Sequence, residues 1–145
     1  MQTNEKAYFI REWNNDVLTW GEALLNYDMC LKNNSLVKSN DNGFFVTHQA
    51  YKIDSVKEIM NKNDFTQAHL YFNITTNAKT FGKHNDNDDV WFWQCQGVTK
   101  WTIEDEDEIV LNPGDLIYVP EGMNHNVEPL TPRLGVSFGK GENIW

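Results

Sequence analysis

The sequence contains little cysteine, little positive charge and no long apolar run. Its two cysteines, Cys30 and Cys95, lie far apart and form no CxxC pair, so we expect neither a zinc–thiolate site nor a disulfide framework. The 12 Lys and Arg residues are outnumbered by 21 Asp and Glu, which gives a formal net charge of −9. Such a surface repels phosphate backbones and anionic membranes. We therefore expect no nucleic-acid partner and no membrane partner.

The aromatic content is high in a chain without an obvious targeting segment. No stretch approaches the roughly 18 apolar residues of a membrane span or the h-region of a signal peptide, and we expect a soluble, cytoplasmic protein. Aromatic residues make up 13% of the chain, with six Trp, and hydrophobic residues make up 40%. In 145 residues this is enough for one domain with a real core, so we interpret 1–145 as a single domain.

The first 67 residues are predicted to be a lead-in that contains both helices. Thr19 with Glu22 and Ser55 with Glu58 have the spacing of a capping box, which predicts a helix near 20–31 and a shorter one after Ser55. A loop is expected at 33–43 because Asn and Ser are frequent there. The residues expected on the buried helix faces are Trp20, Leu24, Tyr27 and Leu31 in the first helix and Val56, Ile59 and Met60 in the second.

From Ala68 onward the chain consists of short aromatic and β-branched runs separated by turn residues. This spacing is typical of all-β sandwiches and barrels, so we predict a mainly β barrel core at 68–139. Asn112 to Asp115 is a predicted turn, because Pro113 fixes φ at its second position and Gly114 accepts positive φ at its third. The predicted strands lie at 44–53, 68–75, 89–96, 99–104, 108–111, 115–119, 125–128 and 133–139.

His84, Asp86 and His125 are the candidate metal ligands. Residues two apart on an extended chain point to the same face, so His84 and Asp86 can bind one ion together. His125 follows the Pro120-x-Gly122 turn and begins a predicted strand that can lie beside the first segment in a closed barrel. Two imidazoles and one carboxylate leave three octahedral positions open, as in non-haem iron(II) oxygenases. The pattern therefore predicts an iron(II) site.

Other conspicuous residues are interpreted as structural. The remaining histidines, His48 and His69, are expected to be packed or solvated. The acidic run 104–108 is expected to form a solvated hairpin tip. Large aromatic residues at alternate positions normally fill a barrel wall, and the residues expected to do so here are Trp91, Trp93 and Trp101.

Longer motifs surround the candidate ligands: His84-x-Asp86, followed by Val90 to Gly97; Pro113-Gly114-Asp115 through Pro120-x-Gly122-x-x-His125; and Gly135-x-Ser137. Together, over Ala68 to Gly139, they resemble the JmjC-type cupins, nearest the bacterial cupin group that includes ribosomal-protein hydroxylases. The resemblance implies a double-stranded β-helix, or jelly-roll, barrel. It also implies an iron(II)- and 2-oxoglutarate-dependent oxygenase, a hydroxylase or demethylase, with His84, Asp86 and His125 as the iron ligands.

The sequence departs from this family at the cosubstrate site. Family members hold the distal carboxylate of 2-oxoglutarate with a Lys or Arg two residues after the glycine that matches Gly97, and here that position is Thr99. Lys100 is adjacent, but strand alternation turns it to the opposite face unless a bulge intervenes. Arg133 is either exposed in a turn after Pro132 or faces the cavity, where its guanidinium suits a carboxylate. The candidate cosubstrate residues are Thr99, Lys100, Arg133, Ser137, Tyr71 and Asn73.

Two alternatives to the oxygenase stay open at this point. A cupin with the same ligands can act without 2-oxoglutarate, as a dioxygenase or a metal-dependent isomerase. This alternative is favoured because position 99 is a Thr and not the Lys or Arg that holds 2-oxoglutarate in the family. A non-catalytic module that binds a metal or a small ligand is the second alternative. The four-ligand site of many cupins is disfavoured because Val90 stands where they have Glu. The expected substrate is a small molecule or a protein side chain, and a sheet edge near the N-terminal strand is expected to support a homodimer.

Overall fold

A computed structural model of the chain describes residues 5–34, 37–39, 42–77 and 82–141. Its helices are α1 (Trp20–Lys32) and α2 (Asp54–Asn63), with a short 3-10 helix at Ala50–Lys52. None of the described helices is long and apolar enough to cross a membrane. The strands are β1 (Tyr8–Ile10), β2 (Val37–Ser39), β3 (Phe44–Thr47), β4 (Gln67–Asn73), β5 (Val90–Gln96), β6 (Thr99–Ile103), β7 (Asp107–Leu111), β8 (Leu116–Val119), β9 (His125–Pro129) and β10 (Arg133–Gly139).

The strands form two antiparallel sheets that pack against each other. The larger sheet has the order β1-β8-β5-β10-β4-β3-β2, and the smaller has the order β7-β6-β9. Strand β10 lies in the middle of the larger sheet, between β4 and β5. The mainly β prediction with two helices before the barrel strands is confirmed. The predicted turn at Asn112 is also confirmed, since the N–H of Asp115 donates to the Asn112 carbonyl at 3.0 Å.

Because strand side chains alternate between faces, β10 separates a core from a cavity. Leu134, Val136 and Phe138 point toward the helices, where they join a core that includes Trp93. A second apolar cluster fills part of the space between the sheets and contains Phe92 and Trp101. The opposite face of β10, which carries Arg133 and Ser137, turns toward the rest of that inter-sheet space. The acidic run 104–108 is exposed at the tip of the β6–β7 hairpin, as predicted.

The predicted apolar stripe of α1 is wrong at two of its four positions. Leu24 and Leu31 are 53% and 48% exposed, whereas the buried positions are Ala23, Asn26 and Cys30. The cause is a pair of hydrogen bonds, since the Asn26 amide donates to the Gln49 carbonyl at 3.1 Å and accepts from the Thr47 hydroxyl at 2.7 Å. These bonds to Thr47, the last residue of β3, and to Gln49 just after it turn the Asn26 face inward.

The two predicted capping boxes have different outcomes. At α1 the box is present, because Thr19 Oγ1 accepts from the Glu22 N–H and the Glu22 carboxylate accepts from the Thr19 N–H. At α2 the prediction is wrong: Ile53 is the N-cap and no side chain caps the helix. Helix α2 follows the 3-10 helix closely and begins at Asp54, one residue before Ser55. Ser55 therefore lies within the first turn of α2, where its hydroxyl oxygen is buried. The inward face of α2, formed by Val56, Ile59 and Met60, is confirmed.

The sheet edges differ from the prediction. The strand that begins at Phe44 ends at Thr47 and is internal, paired with β2 and β4. The outer strands are β1, which was not predicted, and β2, which lies inside the predicted loop 33–43. Strand β1 exposes three consecutive apolar side chains, each at least 40% exposed: Tyr8, Phe9 and Ile10. The homodimer stays a prediction, and β1 is the edge where it would now be sought.

Candidate active site

The inter-sheet space contains a cavity of about 340 Å³, a volume within the usual range of small-ligand sites. Its walls come from both sheets and from the segment 84–89, which lies between β4 and β5 in the chain. His84, Asp86 and His125 are all on its surface. The cavity therefore brings together the three residues that the sequence singled out as metal ligands.

Backbone pairing joins the two segments that carry these three side chains. His84 and His125 form an isolated antiparallel bridge, with N–H···O distances of 2.9 and 2.8 Å. The Asp86 carbonyl accepts from the N–H of Gly122 at 2.9 Å, which fixes the chain two residues further on. One ligand atom from each of the three side chains lies within 4.8 Å of the others. This spacing is short enough for the three atoms to bind one ion.

The hydrogen bonds of the two imidazoles suit metal binding. Nδ1 of His84 lies 2.7 Å from the Gly82 carbonyl, and Nδ1 of His125 lies 3.0 Å from the Met123 carbonyl. A carbonyl only accepts, so each Nδ1 carries a hydrogen, and in the neutral ring Nε2 then holds a lone pair. His125 Nε2 lies 3.3 Å and His84 Nε2 3.8 Å from the Asp86 carboxylate. Lone pairs directed at a carboxylate repel it unless a cation lies between them, and the donor set therefore fits a divalent metal.

Asp86 is in a position to stay ionised. Its partial burial would raise the pKa of the carboxyl, but a hydrogen bond from His125 and the positive charges of His125 and His84, which these rings carry only when both ring nitrogens are protonated, lower that pKa below its usual value. An ionised carboxylate is the form that binds a metal.

The tip of the β6–β7 hairpin contacts the two segments that carry His84 and His125: Asp105 pairs with Lys83, and the Glu104 carboxylate accepts from the N–H of Asn124 at 3.1 Å. Each contact holds a residue adjacent to His84 or His125.

Thr99 and Lys100 do not reach the cavity, so the structure removes both from the predicted cosubstrate residues. Thr99 is buried, and its hydroxyl donates to Gln94 Oε1 at 3.1 Å. Lys100 lies on the other face of β6, where its ammonium pairs with the Glu128 carboxylate at 3.2 Å. No bulge turns it inward, because β6 keeps a regular register with both β7 and β9.

Arg133 is inside the cavity wall, and the alternative that it is exposed in a turn is wrong. Its side chain is 1% exposed, and its Nε donates to Asn73 Oδ1 at 2.6 Å. The guanidinium carbon lies 5.7 to 6.0 Å from the ring centres of Phe44, Tyr71 and Phe92. Among the described residues, no carboxylate is within ion-pair distance of it. Burial lowers the pKa of Arg133 to about 10, so it stays charged at neutral pH.

Comparison with known proteins decides the family. The model of the JmjC domain matches residues 44–108 and 103–144, which is more than half of the chain. The chain belongs to the JmjC domain family. No curated protein matches its sequence.

Solved structures share the fold of this JmjC domain. The Escherichia coli ribosomal oxygenase YcfD, solved with cobalt and 2-oxoglutarate, superposes with a TM-score of 0.76 at 16% identity, over 96% of this chain and 49% of that one. KdgF from Halomonas sp. gives 0.54 at 17% identity, over 76% and 92%. A cupin superfamily protein from Desulfitobacterium hafniense gives 0.52 at 17%, over 70% and 81%. These likenesses confirm the double-stranded β-helix fold. The JmjC domain spans about half the length of YcfD, and the interpretation of 1–145 as a single domain stays a prediction.

The remaining predicted residues of the JmjC domain lie on β4 and β10. Tyr71 and Ser137 line the cavity, and Asn73 is behind Arg133 as its hydrogen-bond partner. Burial raises the pKa of Tyr71 to about 12, so its hydroxyl stays protonated. His69 also lines the cavity, although the sequence gave no reason to place it there. The signal that could have found it is the alternation along β4, which puts His69 on the same face as Tyr71.

Proposed function

We propose that this JmjC domain is an iron(II)- and 2-oxoglutarate-dependent oxygenase. The observation that carries the proposal is the guanidinium of Arg133, which is buried without a carboxylate partner among the described residues. A buried charge is costly unless an anion compensates it. Because this cation shares one cavity with His84, Asp86 and His125, the anion it would receive is the distal carboxylate of a cosubstrate that also reaches the metal.

The three metal-binding side chains would hold iron(II) on one side. Bound iron(II) would supply the redox chemistry by which dioxygen oxidises both 2-oxoglutarate, to succinate and carbon dioxide, and a substrate C–H bond, as hydroxylation or demethylation. The carbonyls of Gly82 and Met123 keep the two imidazole rings oriented through their Nδ1–H groups. Apolar side chains around the site, among them Phe92, Trp101 and Val127, line the same cavity and restrict water.

Arg133 would bind the cosubstrate through the outer edge of its guanidinium. Asn73 accepts from Nε, which fixes the plane of the group and leaves the two terminal nitrogens to face a carboxylate side by side. This is the bidentate geometry that makes arginine–carboxylate pairs strong. The cation thus lies on β10, whereas related proteins place it at the position of Thr99 on β6. In support, the structurally similar YcfD has been solved with cobalt and 2-oxoglutarate and with cobalt and succinic acid.

The substrate would be a small molecule or a protein side chain. The formal net charge of −9 disfavours nucleic acid, because like charges raise the cost of the encounter. The cavity of about 340 Å³ has room for a cosubstrate and one small reactive group, so the bulk of a larger substrate would stay outside. The cytoplasmic location predicted from the sequence stays a prediction.

An anaerobic titration with iron(II) and then 2-oxoglutarate tests the proposal directly. A 2-oxo acid chelated to iron(II) gives a visible charge-transfer band, which we expect with the wild-type chain and not with His84→Ala or Asp86→Asn. The matched control is Asp88→Asn, which removes a carboxylate two residues away and should keep the band. If iron binds but no band forms, a cupin that acts without 2-oxoglutarate, or a non-catalytic binding module, replaces the oxygenase.

A further inference from the structure

The tip of the β6–β7 hairpin is a tight turn with two acidic residues in an unusual backbone conformation. The N–H of Glu106 donates to the Ile103 carbonyl at 3.0 Å and closes the turn. The two central residues, Glu104 and Asp105, have φ of 53° and 61°. A hairpin turn with positive φ at both central positions favours Asn-Gly, because glutamate rarely adopts positive φ. Local backbone preference therefore does not explain Glu104, and a contact of its side chain is the remaining reason for it.

Glu104 binds the residue that precedes His125 through two hydrogen bonds. Its N–H donates to the Asn124 carbonyl at 2.8 Å, and its carboxylate accepts from the Asn124 N–H at 3.1 Å. The first bond continues the β6–β9 pairing, in which Ile103 is opposite His125, and any residue at position 104 can make it. The second bond needs a side-chain acceptor as long as that of glutamate. The carboxylate is therefore the part of this contact that depends on the identity of the residue.

Asp105 makes the matching contact to the residue that precedes His84. Its carboxylate pairs with the ammonium of Lys83, and the two side chains are 65% and 54% exposed. An ion pair this exposed contributes little to folding free energy and is weakened by salt. On the other side of His84, the Asn85 amide donates to Asn124 Oδ1 at 3.1 Å. The hairpin tip, segment 83–85 and Asn124 thus form one connected set of contacts.

The position of these contacts matters because a metal site tolerates little movement of its ligands. Ligand atoms have to be held within about 0.5 Å of their working geometry. His84 and His125 belong to segments that are distant in the chain, and an isolated bridge pairs their backbones. The hairpin tip contacts the residue immediately before each of them. A displacement of the tip would therefore change the spacing of both imidazoles together.

We propose that Glu104 and Asp105 are positioning residues, and that the hairpin tip holds His84 and His125 at the spacing that one metal ion requires. The unfavourable turn conformation is retained because Asn-Gly would lack both side-chain contacts. The inference rests on the metal site of the proposed function and does not depend on 2-oxoglutarate. The competing explanation is that the negative charge of the tip attracts a cation at long range, whatever its side chains contact.

The main test replaces the turn by the pair that its backbone prefers, Glu104→Asn with Asp105→Gly. This variant should keep or raise the unfolding temperature, because it removes backbone strain, and should bind cobalt(II) about tenfold more weakly with a changed visible spectrum. A purely structural role of the tip predicts unchanged or tighter binding. The control is Glu106→Gln with Asp107→Asn, which removes the same charge from side chains that make no hydrogen bond or ion pair within the described part of the chain. It should bind cobalt(II) as the wild type does.

Single variants separate the two contacts. Glu104→Gln keeps an acceptor for the Asn124 N–H and should retain most of the cobalt(II) affinity, whereas Glu104→Ala should lose it at similar backbone strain. For the ion pair, raising salt from about 0.01 M to about 1 M shortens the screening length from about 30 Å to about 3 Å. Cobalt(II) binding should weaken over this range in the wild type and in Glu106→Gln, and less so in Asp105→Asn, which has already lost the pair with Lys83.

A readout without metal keeps this inference separate from the proposed function. In the ¹⁵N-labelled, metal-free chain, relaxation dispersion of the His84 and His125 amides reports motion on the microsecond to millisecond timescale. We expect such motion to increase in Glu104→Ala and not in Glu104→Gln. The proposal is overturned if the Asn-Gly variant binds cobalt(II) as tightly as the wild type, if Glu104→Gln loses as much affinity as Glu104→Ala, or if neither amide responds. Arg133→Met, which tests the oxygenase, should leave cobalt(II) affinity and both amides unchanged, so the two failures are distinguishable.

Discussion

The indole of Trp101 stacks on the imidazole of His125, with ring centres 5.7 Å apart and planes 18° apart. The indole is itself held in place, because its Nε1 donates to the Thr99 hydroxyl at 3.2 Å. Thr99 in turn donates to Gln94 on β5. Two buried hydrogen bonds thus link β5 of the larger sheet to the indole that stacks on His125. Thr99 therefore supports the side of the cavity that carries His125.

Trp101→Leu should lower metal affinity without unfolding the protein. Removing the stacked ring leaves His125 free to rotate, and losses of supporting contacts around metal ligands typically cost about 10- to 100-fold in affinity. Titration with cobalt(II), monitored by its visible absorption, measures the change. The matched control is Trp91→Leu, because Trp91 packs on Phe65 and Tyr118 and not on the metal site. Equal metal affinities of the two variants would contradict the role assigned to Trp101.

Arg133→Met should abolish 2-oxoglutarate binding while iron(II) binding is retained. Methionine fills much of the space among Phe44, Tyr71 and Phe92, and replacing a buried charge by an apolar group is often tolerated by the fold. Calorimetric titration of the iron-loaded variant with 2-oxoglutarate under anaerobic conditions measures the loss. Lys100→Met is the control and should bind normally, since Lys100 faces outward. Normal binding by Arg133→Met would assign the anchor to another residue.

Asp115→Asn should destabilise the protein near neutral pH and have little effect in acid. Burial alone would raise the pKa of Asp115, but N–H donors of Asn112 and Glu12 and the Arg11 guanidinium lower it below its usual value. A lowered pKa contributes stability above the unfolded-state value of about 3.9, and that contribution is lost as pH falls through the folded-state value.

Urea unfolding at pH 7 and at pH 3 measures this effect of Asp115. We expect a loss of about 2 kcal/mol in the variant at pH 7, and a much smaller difference between variant and wild type at pH 3. Asp105→Asn, at an exposed hairpin tip, is the control and should cost under about 1 kcal/mol at either pH. A difference for Asp115→Asn that does not shrink in acid would show that its effect is not electrostatic.

Gly97→Ala should be far more destabilising than Gly122→Ala. Both glycines have positive φ, at 72° and 78°, so an added methyl group costs roughly 1–2 kcal/mol of backbone strain at either position. At Gly97 the new Cβ would also lie 1.9 Å from the Pro132 carbonyl oxygen, whereas at Gly122 it would meet nothing within 4 Å. Chemical denaturation of the two variants measures the difference. Equal losses would mean that the Pro132 segment shifts at little cost.

Several features could be predicted from the sequence because residues close together in the chain determine them. The pairing of His84 with Asp86, the turn at Asn112 and the capping box of Thr19 each follow from residues a few positions apart, and all three are present in the structure. The sequence left open whether Arg133 faces the cavity, because that depends on which side chains of β10 point inward. Its hydrogen-bond partner, Asn73, lies on another strand, so this contact does not follow from neighbouring residues.

The wrong prediction for α1 has a different cause, which is that distant contacts override a local pattern. The buried face of α1 depends on Asn26 and its hydrogen bonds to Thr47 and Gln49, and nothing in the helix sequence encodes those bonds. Polar side chains far apart in sequence determine which face of this helix is buried, and the periodicity of apolar residues cannot reveal this.

The two ends of the cavity differ in how firmly the backbone is held. Arg133 is on β10, which is hydrogen-bonded on both sides along its length, whereas His84 is joined to His125 by a single bridge outside the regular strands. Amide hydrogens open most easily where few such bonds hold them. Local opening near His84 would let a metal bound there exchange with solvent on a timescale at which the β10 amides stay protected, so that such an ion would enter or leave the cavity without unfolding of the domain.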